Sequence, residues 1–282
     1  MTTPPRFTGA SPLANTPPAI SDGEFGQIRE LVKALTGINL SDQKKALVVG
    51  RLSSRLRHRS APSFGAYYRI LQDPREKDEL QIAIDLMTTN ETSFFREPEH
   101  FRILQEHLQA MRPVPFPIRV WSAASSSGEE AYTIAMVLAE AFGSAEWAVH
   151  GTDISTRVLE RARKGLYPIE RSAGIPKDLL HAHCLKGQGT HEGMFLINKK
   201  LRQRVTFSQA NLIQPLPRLG PFDVAFLRNV LIYFEPEQKK LVVDAVAAQL
   251  KPGGILIVGH SESLTGLPHG LTAVRPTVYR AS

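Results

Sequence analysis

The stretch RVWSAASSSGEE, Arg119 to Glu130, decides the fold, because it passes from strand-forming residues through seven small ones into a helix. Ile118 to Ser122 has the β-branched and aromatic character of a buried strand, and Glu129 to Phe142 carries apolar residues at helical spacing. Between them Ser122 to Gly128 offers little side chain, so a ligand can approach the backbone closely where the helix starts. The spacing is not G-x-G-x-x-G, and Glu129 and Glu130 place negative charge where a pyrophosphate needs the opposite. A cationic or zwitterionic ligand suits this turn better. Either glutamate could instead serve only to complement the helix dipole.

Toward the C-terminus, strand candidates recur at Trp147–Gly151, Val205–Ser208, Phe222–Leu227 and Ile255–Gly259, with helices expected over Ser155–Leu166 and Pro236–Leu250. This alternation predicts an α/β domain whose parallel sheet is joined by right-handed crossovers. Leu271 to Arg280 reads as an antiparallel edge strand or hairpin. From Ile169 to Arg204 the alternation fails: about 35 residues containing Gly187, Gly189 and Gly193 exceed an ordinary connection. They predict an inserted, partly β subdomain at about residues 170–204. The second strand ends on His150-Gly151-Thr152-Asp153, where doubly wound nucleoside binders place an acid on the ribose hydroxyls. Asp153 is the ribose candidate, and it can also serve the N-terminus of the following helix.

Toward the N-terminus, residues 1–19 are rich in Pro, Thr and Ser and read as a disordered tail. Ser21 and Glu24 form a capping-box pattern, Phe25, Ile28, Leu31 and Leu35 recur at helical spacing, and Gly37 ends the helix. Ser41 is expected to cap a second helix with Leu47, Val48, Leu52 and Leu56 on one side and Lys44, Arg51, Arg55 and Arg59 along another. Asp42 is the only acid between Ser41 and Ser60, which favours a basic binding stripe over a merely solvated face. Helices at Phe64–Leu71 and Pro74–Met87 complete an all-α domain over 20–87. Residues 88–282, opening with a helix at Pro98–Met111, form the α/β domain.

Over all 282 residues, 34 Lys and Arg against 27 Asp and Glu leave a net charge of +7, which points to an acidic partner surface without choosing among nucleic acid, lipid and protein. No apolar run approaches the roughly 18 residues of a membrane span, so a cytoplasmic protein without membrane insertion is expected. The single cysteine, Cys184, excludes an internal disulfide and a Cys-based zinc site, and the neighbouring His181 and His183 lack metal-ligand spacing. No metal is expected.

The chain resembles the chemotaxis receptor methyltransferases of the CheR type from about Ser21 to Tyr279. The resemblance rests on seven motifs in order: TTNETSFFRE (Thr88–Glu97), RVWSAASSSGEE (Arg119–Glu130), GTDIS (Gly151–Ser155), NL (Asn211, Leu212), RNVLIYF (Arg228–Phe234), LKPGG (Leu250–Gly254) and GHSES (Gly259–Ser263). Ala131 departs from the Pro often found there. The resemblance implies a class I Rossmann-like domain that uses S-adenosyl-L-methionine, yields S-adenosyl-L-homocysteine and methylates glutamate side chains. It further implies that Asn90, Thr92, Arg96, Ala123, Arg228 and Asn229 contact the cofactor, with Glu129 on the methionine ammonium, Asp153 on the ribose, and Asn211 and Leu212 on the adenine. Arg96 and Tyr233 would face the methyl-transfer position. Without the resemblance, Phe94 and Phe95 read as core and Arg96 as surface.

The implied partner is the cytoplasmic domain of a bacterial chemoreceptor, its methylation helices meeting Lys44, Arg51, Arg55 and Arg59. KGQGTHEGMFLINKKL (Lys186–Leu201) resembles the β-subdomain of relatives that bind a receptor C-terminal pentapeptide. Such a peptide would add as a strand beside Gly187, Gly189 and Gly193 along an exposed edge at Met194–Asn198; a purely structural excursion is the alternative. A monomer is expected. Two rival functions stand beside this one. A nucleic-acid methyltransferase would suit the charge, but Arg228-Asn229-Val230-Leu231 replaces the Asn/Asp-Pro-Pro-aromatic run used for base amino groups, and the basic helix lacks stacking aromatics. A non-catalytic cofactor-binding module could dispense with Arg96 and Tyr233, which are both present.

Overall fold

The structure, a computed structural model, describes residues 18–111 and 117–282, so the expected tail falls almost wholly outside the described residues. Packing divides the chain into two units, one of residues up to Leu31 with Leu40–Met87, the other of Val32–Asn39 with Thr88–Ser282.

The first unit is helical: α1 (Asp22–Thr36), whose last turn belongs to the second unit, α2 (Lys45–His58), α3 (Phe64–Leu71) and α4 (Lys77–Met87). The capping box closes α1, with Ser21 N–H donating to Glu24 Oε2 at 2.9 Å and Glu24 N–H to Ser21 Oγ at 3.2 Å. Ser41 makes no such bond; a short 3₁₀ turn, Asp42–Lys44, precedes α2 instead. Phe25, Ile28, Val48, Leu52, Leu56, Phe64 and Tyr67 are all buried.

In the second unit α5 (Glu99–Ala110) leads into a seven-stranded sheet of β1 (Ile118–Ser122), β2 (Trp147–Asp153), β6 (Val205–Gln209), β7 (Phe222–Leu227), β8 (Leu250–Val258), β9 (Thr272–Arg275) and β10 (Val278–Arg280). The order is β6-β2-β1-β7-β8-β10-β9, parallel except for the β9–β10 hairpin at one edge. The helices α6 (Glu129–Phe142), α7 (Thr156–Lys164) and α10 (Pro236–Ala247) make crossovers. Alternation along the strands divides the core: Ile118, Val120, Val224 and Phe226 pack with α5 and α6, whereas Trp121, Ala225 and Leu227 pack with α10. The chain runs outward from β1 through β2 to β6, then crosses to β7 on the other side of β1. The crevice at the carboxyl ends of β1 and β7 is therefore where a ligand belongs.

The insert forms its own sheet of β3 (Leu166–Pro168), β4 (Cys184–Lys186) and β5 (Met194–Ile197), with α8 (Lys177–His183) between β3 and β4 and α9 (Lys199–Arg202) after β5. The order is β3-β5-β4. This corrects one expectation: the strand at Met194 is central, hydrogen-bonded on both sides, and β4 and β3 are the edges. Gly187, Gly189 and Gly193 lie in the β4–β5 connection, where Gly189 (φ 58°) and Gly193 (φ 77°) are left-handed. No helix of the described residues is long and apolar enough to cross a membrane.

Candidate active site

A cleft of about 920 Å³, open to solvent, lies at the carboxyl ends of β1 and β7 within the second unit. Its floor is the small-residue turn, with Ala123, Ala124 and Ser126 on the wall. Gly128 caps α6 at φ 95°; a Cβ there would lie 2.9 Å from Ala162 Cβ and 3.0 Å from the Tyr167 hydroxyl, so the turn requires glycine. Asp153, at the end of β2 and 8% exposed, accepts Ser126 N–H on Oδ2 and Ser155 N–H on Oδ1, both at 2.9 Å. Its carboxylate is thereby oriented on the cleft wall.

The two adjacent glutamates part company. Glu130 lines the cleft, accepts the Ser122 hydroxyl at 2.7 Å and pairs with Arg228 at 2.8 Å. Glu129, expected to meet the methionine ammonium, is not on the cleft wall. It is buried, accepts the Ser127 hydroxyl at 2.7 Å and pairs with Arg171 at 3.0 Å. Burial raises its pKa, and the Ser127 hydroxyl, its own backbone amide and Arg171 oppose the rise. The acid facing the ligand space is Glu130.

The segment after α4 supplies the opposite wall through Asn90, Thr92 and Arg96. Asn90 is held by its own carbonyl, which accepts the Ser126 hydroxyl at 3.0 Å, and Thr92 by its carbonyl, which accepts Arg171 Nη1 at 2.9 Å. Phe94 is core, edge-on to Tyr167 at 5.0 Å, while Phe95 is half-buried against Phe101. Arg96 is half-buried rather than a plain surface residue, and its guanidinium donates to Glu91 O at 3.1 Å. Leu212 and Ile154 give an apolar wall. Asn211 also lines the cleft, but its amide is committed elsewhere, Nδ2 to Leu35 O at 2.7 Å and Oδ1 to Ile213 N–H at 3.3 Å.

After β7 come Arg228, Asn229 and Tyr233. Arg228 is buried and bridges Glu130 and Glu97, the latter at 3.0 Å. Burial works against the Glu97 anion, yet hydrogen bonding and charge from Arg228 hold its pKa down at about 2. Asn229 sits at φ 57°, unusual for a non-glycine, and its N–H donates to Glu262 Oε2 at 2.7 Å. Glu262 also accepts Leu231 and Gly259 N–H, each at 2.7 Å, and so fixes the turn that carries Asn229 and Tyr233. Sequence reasoning quoted GHSES without giving Glu262 this role. It likewise missed Glu97, His100 and His260, whose ligand-type atoms lie within 4.8 Å of one another. Arg228 occupies the same Glu97 oxygen that faces His100, which opposes a dication there, and burial drives the His100 pKa down to about 4.

The residues expected to dock the receptor and the three glycines of the insert do not line this cleft. Arg55 Nε donates to Glu79 Oε1 at 2.9 Å, Arg59 pairs with Glu76 at 2.7 Å, and Arg51 Nη1 donates to Met87 O at 2.8 Å. The stripe expected to be free is thus bound to α4 and its flanks; only Lys44 of the four is exposed. The acids come from a distant stretch of sequence, so scanning Ser41 to Ser60 could not reveal them.

Residues 23–88 match the family description "CheR methyltransferase, all-alpha domain", and residues 90–280 match "CheR methyltransferase, SAM binding domain". The chemotaxis protein methyltransferases of Salmonella typhimurium LT2 and Escherichia coli K12 are each 39% identical over 267 residues, spanning 94% of this chain and 92% of theirs. Chemotaxis protein methyltransferase 2 of Pseudomonas aeruginosa PAO1 is 40% identical over 259 residues, 91% of this chain and 92% of that protein. On a sheet, a cleft and two matched regions that agree, the chain belongs to the CheR family of S-adenosylmethionine-dependent methyltransferases.

Proposed function

We propose that this methyltransferase esterifies glutamate side chains of chemoreceptor cytoplasmic domains, in the cytoplasm. The observation that carries the reading is the cleft's chemistry: no His, Cys or Lys lines it among the described residues. An acceptor that needs a histidine, cysteine or lysine as its base would be poorly served. A glutamate, with an ordinary pKa of about 4.3, is already anionic at neutral pH and needs only alignment and partial desolvation.

The residues present suit S-adenosylmethionine. Asp153 offers acceptors for ribose hydroxyls, Glu130 an anion for the ammonium, and Leu212 and Ile154 an apolar face for the base. Asn90, Thr92, Ala123 and Asn229 complete the wall, with Asn211 contributing through its position rather than its amide. When bound, the cofactor supplies an electrophilic methyl group on its sulfonium. Arg96 would hold the incoming carboxylate by charge, and the Tyr233 hydroxyl would donate to one of its oxygens, leaving the other for bond formation. Arg228 has no free role in this; it keeps Glu130 and Glu97 in place.

A second contact with the receptor would use the insert. β4 is an edge strand with Leu185 exposed, so an extended C-terminal pentapeptide can add there, next to the Gly187–Gly193 connection. Tethering would raise effective substrate concentration without altering the chemistry.

The test is transfer of labelled methyl to receptor cytoplasmic fragments, with base-labile release of methanol as the mark of a carboxyl ester and with DNA and RNA as controls. Arg96→Ala should lower turnover more than cofactor affinity. Asp153→Ala should weaken binding of the demethylated product by about 1.5–3 kcal/mol, the value of a hydrogen bond to a charged acceptor. Label appearing only on nucleic acid, or activity near the original level in Arg96→Ala, would refute the assignment.

A further inference from the structure

Arg96 is carried on a backbone turn that has to be held in place. Its neighbours on both sides, Phe95 (φ 53°) and Glu97 (φ 55°), are left-handed, a conformation that bulky residues keep only where the surroundings fix it. The C-terminal side is fixed by residues that follow β7 and β8: Arg228 donates to the carbonyl of Arg96 and pairs with Glu97, whose carboxylate also accepts His260 N–H at 3.2 Å. The N-terminal side is fixed from two other places. The first is α6, where the Thr133 hydroxyl donates to the Glu129 carbonyl at 2.7 Å and accepts Phe95 N–H at 3.2 Å. The second is the insert. Phe94 packs edge-on to Tyr167 of β3 at 5.0 Å between ring centroids and lies 5.7 Å from Phe195 of β5. The 3₁₀ turn Ile169–Gly174 passes so near that a Cβ on Gly174 would lie 2.3 Å from the Phe94 carbonyl oxygen. From the same turn Arg171 Nη1 donates to the Thr92 carbonyl at 2.9 Å and to Glu129 Oε1 at 3.0 Å. That nitrogen carries two hydrogens, so both bonds form at once. Glu129 is only 1% exposed, and its charge draws the guanidinium inward although nearly half of the Arg171 side chain is exposed, at 46%.

We propose that Arg171 is a positioning residue for methyl transfer: by holding the Thr92 carbonyl against the buried Glu129 carboxylate, it keeps the left-handed turn at 95–97 in the shape that presents Arg96 to the acceptor. The proposal rests on the glutamate-methylating reading above, in which Arg96 meets the acceptor carboxylate. Arg171 does not line the cleft, so it acts on the reaction only through the wall that carries Thr92 and Arg96. The insert thereby gains a part in alignment that is separate from any peptide bound at the edge of β4. Alignment of this kind is sensitive, since displacing a holding group by about 1 Å can cost on the order of a hundredfold in rate.

The experiment uses the full chain and a receptor cytoplasmic fragment lacking the C-terminal pentapeptide, so that tethering contributes nothing. In Arg171→Ala, kcat should fall about tenfold. Affinity for S-adenosylhomocysteine should stay within about threefold, because Asp153 and Glu130 keep their own partners. Arg171→Lys, whose ammonium can still donate to both Thr92 and Glu129, should bring kcat back to within about threefold of the original. Should Arg171→Ala unfold because Glu129 is left buried without its cation, Glu129→Gln/Arg171→Ala removes the stranded charge and should show the same fall in kcat. A kcat within about twofold of the original in the alanine variants would overturn the positioning role. Equal losses of kcat and cofactor affinity, or a lysine variant no better than alanine, would overturn it too. Each of these outcomes leaves the methyltransferase reading intact. Failure of the unaltered enzyme to methylate any receptor fragment would instead remove that reading, and the role of Arg171 with it.

Discussion

In α2 the arginines at 51, 55 and 59 each have a partner within the first unit, whereas in α7 and α9 Arg161, Lys164, Lys199 and Lys200 have no ion pair among the described residues. Both stretches are basic and amphipathic by sequence. The difference lies in Glu76 and Glu79, which α4 and its N-terminal flank bring against α2. Glu79 is only 3% exposed and also accepts the Tyr67 hydroxyl at 2.7 Å. A cation that neutralises a buried anion is part of the core, and an exposed one that makes no ion pair is available to a partner. Counting charges along a helix cannot separate the two.

The sharpest test of this contrast is Glu79→Ala, which should cost about 3–5 kcal/mol in urea unfolding because Arg55 and Tyr67 lose a buried partner. Arg161→Ala, by comparison, should stay within about 0.5 kcal/mol, as exposed changes usually do. Equal effects would erase the distinction.

A second test uses acid. Burial opposes the Glu79 anion, but hydrogen bonding from Arg55 and Tyr67 brings its pKa to about 2 from an ordinary 4.5. A depressed carboxylate pKa contributes stability that is fully present above the ordinary value and is lost as pH falls through the folded one. Helical signal from the first unit should therefore decline between about pH 4.5 and 2, and Glu79→Gln should flatten that decline. No such flattening would mean that Glu79 does not hold α2.

The smallest effect concerns salt. Going from 0.1 M to 1 M shortens the Debye length from about 10 Å to about 3 Å, which barely reaches a buried pair. Unfolding free energy in Arg161→Gln and in the original chain should respond to salt alike, within about 0.5 kcal/mol. A stability that depends on salt through Arg161 would show that α7 has an intramolecular partner after all.

Much of the fold was legible. Strand boundaries at Ile118–Ser122 and Phe222–Leu227 and helix boundaries at Phe64–Leu71 and Glu129–Phe142 follow from period and turn residues alone, and the structure has them at the same residues. What could not be read depends on contacts between distant segments or on backbone at a turn. The choice between Glu129 and Glu130 depends on the turn that leads into α6, where Ser126 (φ 48°) and Gly128 (φ 95°) are left-handed, and on their separate partners Arg171 and Arg228. The edge of the insert sheet was misjudged because a strand's pairing depends on β3, some 26 residues upstream of β5, and not on its own sequence. Glu262 had no visible signal beyond its motif, since it is held by backbone N–H groups.

The boundary between the two units falls inside a helix. Family descriptions divide the chain near residue 88, yet Val32–Asn39 pack with the second unit. Thr36 and Ile38 line the cleft, Leu35 O holds Asn211, and Asn39 N–H donates to Tyr233 O at 3.1 Å. A gene fragment beginning at Thr88 would therefore encode a sheet with an incomplete cleft. Recombination that exchanged the helical part of this protein for another would have to carry those eight residues along, which makes the pair a single evolutionary cargo rather than two portable modules.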